Sequence, residues 1–140
     1  MKSHLILLLC AYSCAASWGP TPPSPTDPIA DKLFPPELVM QYRQAIDLTE
    51  TQSKAIKDEI RQAQAKFLDM QWNLQSETEK LVLLLKAERV DEGAVLVQLD
   101  KVLDREREIK KTQISLLVRI KNLLTESQQN KLMELRGKPL

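Results

Sequence analysis

At 140 residues the chain has room for one small domain. Charged residues make up 28% and aromatics only 4%, with three glycines, a mix that suits long solvated helices better than a compact α/β core. The formal net charge is +1, and nothing in that balance points to nucleic acid or an acidic surface as a partner.

Residues 1–17 read as a targeting signal. Met1-Lys2-Ser3-His4 is a short positive start, Leu5 to Ala11 is an apolar run too short to span a bilayer, and small residues follow at Ser13, Ala15, Ala16 and Ser17. Cleavage after Ala16 or Ser17 would export the remainder to the periplasm. Cys10 and Cys14 lie in or beside this segment, as does the single histidine, His4, so the mature domain is expected to hold no thiol and no imidazole. A second reading retains one cysteine: Ala11-Tyr12-Ser13-Cys14 resembles a bacterial lipobox, from which Tyr12 departs. Lipidation at Cys14 would anchor the chain to a membrane without altering its fold. Residues 18–34 are rich in Pro, Ser and Thr and read as a linker, because proline removes backbone donors and favours extended chain.

The domain is expected over residues 35–137. Pro35-Pro36-Glu37 opens a short helix, with Leu38, Val39, Tyr42 and Ile46 as its apolar stripe, running to about Ala45. A long helix follows. Ile56, Ile60, Ala63, Phe67, Met70, Leu74, Glu77, Leu81 and Leu84 alternate four and three apart, which is a heptad seam. This helix is expected to reach about Glu88 and to span about 60 Å. Arg89 to Gly93 supplies a break, with Asp91 as the cap of the next helix. The third helix carries Val95, Leu99, Val102, Ile109, Leu116, Ile120 and Leu123 on a similar period, interrupted by Glu106 and Gln113. A last short helix runs from Thr125 to about Arg136, where Gly137 and Pro139 close it. The expected fold class is all-α: a short-long-long-short, four-helix antiparallel hairpin.

One line of contact between two helices does not use all the apolar residues. Leu68, Trp72, Val82, Leu83, Leu85, Leu96, Val97, Leu103, Leu117 and Val118 lie off the seams. Each large side chain of this kind gains about 1.5–3 kcal/mol on burial. Leaving many exposed favours association, so a twofold homodimer is expected; a monomer wrapped by its short helices is the competing arrangement.

Leu48-Thr49-Glu50-Thr51-Gln52 opens the second helix and Leu124-Thr125-Glu126-Ser127-Gln128 the fourth. Both are Leu-Thr-x-x-Gln. The threonine hydroxyl can accept from the amide three residues on, and the glutamine there can reach back to the threonine amide. Leu48 and Leu124 precede the caps, but their usual staple partners would be the polar Ser53 and Gln129.

On these two boxes and the helix order, over about residues 35–136, the sequence resembles the LTxxQ family of bacterial periplasmic proteins, which includes the chaperones CpxP and Spy and the metal-linked ZraP and CnrX. The resemblance implies a CpxP/Spy-like hairpin paired in a cradle-shaped antiparallel homodimer. It also implies an ATP-independent chaperone or envelope stress protein, acting on unfolded clients or on a membrane sensor protein.

Phe67, Leu68, Met70, Trp72 and Leu74 are the candidates for client contact, or for the dimer interface; Trp72 lies off the seam and is expected to be partly exposed. The sequence has no glycine-rich phosphate loop, and no cofactor or metal ligand set is expected. A heavy-metal sensor of the same family would want imidazole, and the sole histidine is in the signal segment. A client-free coiled-coil scaffold is a further alternative. The serines and carboxylates form no convergent catalytic pattern, so enzymatic function is not expected.

Overall fold

A computed structural model describes residues 28–137. The targeting segment, Cys14 and most of the proline-rich stretch lie outside the described residues. A 3-10 turn at Ala30–Lys32 precedes four helices: α1 (Pro36–Gln41), α2 (Glu50–Leu85), α3 (Glu92–Leu123) and α4 (Glu126–Leu135). The protein is all-α, with no strand among the described residues.

Helix α2 forms because 36 residues pass without proline or glycine behind a strong start. Thr49 is extended (φ −71°, ψ 157°) and its hydroxyl accepts from the Gln52 amide. The helix ends at Leu85, three residues before the expected Glu88. Leu84 is the last seam residue, so nothing beyond it gains from continued helix. Asp91 caps α3 by accepting from the Ala94 amide at 3.2 Å. Gly93, expected in the break, lies in the first turn of α3.

Helix α1 stops at Gln41 rather than near Ala45. The chain then turns through residues 42–47, where Ile46 donates to Tyr42 O at 3.1 Å and Leu48 to Arg43 O at 2.9 Å. Asp47 takes a left-handed conformation (φ 49°), one that short polar side chains tolerate better than most. This reversal ends the helix and delivers Leu48 to the start of α2.

Helices α2 and α3 pack against each other and run in opposite senses. Gln52 reaches the Leu123 carbonyl at 2.8 Å, Glu59 pairs with Arg119 at 3.1 Å, and Glu77 meets Gln98 at 2.7 Å. Every expected seam residue of α2 is buried or half-buried, Ile56 and Ala63 most fully.

The true core sits at one end, the head. There Phe34, Val39, Ile46, Ile56, Ile120, Leu124 and Leu132 form one buried cluster, with Leu48, Ile60 and Leu116 packed against it. The folded head therefore takes in Leu33 and Phe34, at the end of the expected linker; Phe34 is only 2% exposed. Two cations hold this incoming segment. Lys121 donates to Lys32 O at 2.8 Å, and Arg136 donates to the carbonyls of Ala30 (3.2 Å), Asp31 (2.8 Å) and Leu33. Both also stand over the Phe34 ring, at 5.9 and 5.4 Å from its centroid.

Beyond the head the two long helices continue alone. From residue 64 to residue 101 the one buried side chain is that of Gln98. Two helices touching along one line cover a seam but not its flanks, and α1 and α4 are too short to reach this far.

Candidate functional site

Two features stand out: a polar clasp in the head and an apolar face on the arm. Both capping boxes close. Thr49 Oγ1 accepts from the Gln52 amide at 3.1 Å, and Gln52 Oε1 accepts from the Thr49 amide at 3.1 Å. The Thr125 and Gln128 box repeats this at 3.2 and 2.9 Å.

The boxes also join each other, which the sequence reading missed. Gln52 Nε2 donates to Gln128 Oε1 at 2.8 Å, and Gln128 Nε2 donates to Gln52 Oε1 at 3.0 Å. Gln52 further bonds Leu123 O at 2.8 Å, and Gln128 bonds Ile46 O at 3.2 Å and Asp47 O at 3.4 Å. Gln128 is 8% exposed, and among the described residues no buried side-chain polar atom lacks a partner. Each glutamine thus caps its own helix and ties the start of α2 to the start of α4. Leu124 lies in the core cluster and Leu48 packs on it, so both leucines anchor by burial despite lacking staple partners. This motif is structural in its chemistry: neutral amides, fully bonded, with nothing aimed at a ligand.

The candidate contact residues divide into two sets. Phe67, Met70 and Leu74 are half-buried on the seam against α3. Leu68 and Trp72 point outward, Trp72 with 64% of its surface exposed. They continue into a longer apolar tract at the free end of the arm: Val82, Leu83 and Leu85 on α2, and Leu96, Val97 and Leu103 on α3, all exposed. Leu117, also off the seam, is half-buried. A shallow groove of about 590 Å³ runs along α2, between Gln71 and Lys86, with Leu74, Val82 and Leu83 in its lining.

Spacing places Leu68, Val82 and Leu85 of α2 and Leu96, Leu103 and Leu117 of α3 on one flank of the seam, while Trp72 and Leu83 stand on the side of α2 away from α3 and Val97 on the side of α3 away from α2. Leu68, Gln75 and Val82 recur every seven residues, and so do Leu96, Leu103, Lys110 and Leu117. The opposite flank is polar and cross-linked: Glu59 pairs with Arg119, and Glu77 with Lys80 at 2.9 Å. There Gln98 Nε2 donates both to Glu77 O at 2.9 Å and to Glu77 Oε2 at 2.7 Å. These bonds, Gln98 first and Lys80 second, hold the Glu77 carboxyl below the ordinary glutamate value.

Residues 28–137 contain no His or Cys. Among the described residues, no group of three or more His, Cys, Asp or Glu is placed to hold a metal ion, and no helix is long and apolar enough to cross a membrane.

Fold and site together define an all-α protein, with four helices among the described residues, locked at one end by paired capping boxes and open at the other along an apolar face. No protein-family model, curated protein or solved structure matches the chain.

Proposed function

We propose that this chain is an exported, ATP-independent chaperone or stress-response protein of the bacterial envelope, which uses its bare helical arm to capture apolar segments of unfolded polypeptides. The observation that carries this reading is the exposed tract from Leu68 to Leu103. Its large side chains are all exposed, Trp72, Leu83 and Val97 by more than half, while a tight head holds the two helices in register. So many large apolar side chains exposed together on one arm favour an interaction site. The targeting signal and the two Leu-Thr-x-x-Gln boxes support periplasmic placement and an LTxxQ-like, short-long-long-short helical hairpin.

The test is aggregation suppression. Purified protein, without ATP, is added to a chemically denatured client on dilution and light scattering is followed. Suppression near stoichiometric ratios, weakened by Trp72→Ala, is the expected result. Absence of suppression across several clients would overturn the reading.

A second reading draws on the same exposure: the face is covered by a second copy in a homodimer. Analytical ultracentrifugation across a dilution series separates the two, since a dimer through this face would shield Trp72 from collisional quenchers.

A further inference from the structure

Charge is unevenly placed along the protein. Between Asp69 and Asp104, the free end of the arm, there are eight acidic residues and four basic ones. From Arg105 to Arg136 the proportion reverses, with eight basic and four acidic. The near-zero total hides this separation.

The two regions also differ in how far their charges are already engaged. In the basic region Arg105, Arg107, Arg119 and Lys131 sit in ion pairs of 2.8–3.5 Å, while Lys121 and Arg136 are bound to backbone carbonyls of the incoming segment. Of the eight acids in the acidic region, only Glu77 and Asp104 are in ion pairs. Glu79 bonds only the neutral Gln75, and Asp91 caps its own helix.

Those acids are interleaved with the apolar face. Asp100 lies four residues after Leu96, three after Val97 and three before Leu103, the spacings at which helical side chains adjoin. Glu79 lines the α2 groove beside Val82 and Leu83, where Lys86 is the one base. Lys57, Lys66, Lys110 and Lys111 of a second copy stand outside the ion pairs too, so self-association competes with another polypeptide for this end.

We infer that the arm selects client segments in which apolar side chains alternate with Lys or Arg, the apolar ones lying on Val82, Leu96 and Leu103 and the cations meeting Glu79, Asp100 and their acidic neighbours. This rests on the chaperone reading and narrows it to a client chemistry. Complementary charge of this kind raises the association rate and excludes like-charged competitors.

The test uses three dye-labelled peptides with one leucine pattern and lysine, serine or glutamate at the intervening positions. Fluorescence anisotropy against the full protein is expected to rank them lysine, serine, glutamate, with at least about a tenfold span at low ionic strength. The span is expected to contract as salt rises. Glu79→Gln combined with Asp100→Asn, both exposed positions, is expected to flatten the ranking; Glu126→Gln in the head, the control, leaves it unchanged. Equal affinity for all three peptides would overturn the charge selection and leave apolar capture standing. No binding of any peptide, together with no aggregation suppression, would remove both. No peptide binding by a dimer in which Trp72 is shielded would assign the acidic end to a second copy and overturn the inference.

Discussion

The side chains of Gln52 and Gln128 bond to each other in both directions, at 2.8 and 3.0 Å, across 76 residues of sequence. Because each amide also closes its own capping box, the two helix starts share one hydrogen-bond network. Gln128→Ala would strip partners from buried carbonyls and from the Thr125 amide, and is expected to cost about 2–3 kcal/mol. Gln52→Ala, at a half-buried site, is expected to cost about 1–2 kcal/mol. Urea denaturation of the double variant should fall short of the sum by at least about 0.5 kcal/mol. Strict additivity would show that the boxes act independently.

Loss of either threonine hydroxyl tests the caps themselves. Thr49→Ala and Thr125→Ala are each expected to lower stability by about 0.5–2 kcal/mol, with Thr→Ser retaining most of it. Melting curves that match the parent for both alanine variants would remove the capping account.

Head and arm should respond oppositely to truncation. Leu132→Ala and Ile120→Ala empty fully buried positions and are expected to cost about 2–5 kcal/mol. Trp72→Ala and Leu83→Ser remove exposed side chains and are expected to stay within about 0.5 kcal/mol of the parent. A large loss from Leu83→Ser would mean that this face is covered in solution.

Acidification should loosen the arm through Glu77. Its carboxyl is held below the ordinary glutamate value, so its ionised form favours the folded state. That contribution is complete above the unfolded value and fades as pH falls through the folded one. Carboxyl NMR is expected to place the Glu77 midpoint below the ordinary glutamate value, and Gln98→Leu to move it upward. An unmoved midpoint in Gln98→Leu would assign the shift to Lys80.

Much of this arrangement is written in local spacing. The α2 seam from Ile56 to Leu84 and the caps at Thr49, Asp91 and Thr125 depend on residues three or four apart, and such intervals are visible in a bare sequence. The exposure of Trp72, Val82 and Leu96 follows from the same count, since residues off a two-helix seam have nothing to cover them. What spacing does not carry is contact between distant segments. Nothing near Gln52 signals that its partner is Gln128. Phe34 stands beside two prolines and looks like linker until Lys121 and Arg136 are seen to close over it. The early end of α1 depends on the reversal at Asp47, a residue type that neither demands nor forbids a left-handed turn.

The grip of Arg136 and Lys121 on residues 30–34 has a mechanical consequence. The chain enters the protein at the head, while the apolar face lies toward the far end of α2, a helix about 54 Å long. Tension arriving through the residues before position 28 meets the Arg136–carbonyl bonds and the Phe34 socket first. Those contacts resist it before the α2–α3 seam is loaded. The arm is therefore a cantilever: a load on its free end is carried back to its root, where the Gln52–Gln128 bonds and the Phe34 socket resist it together.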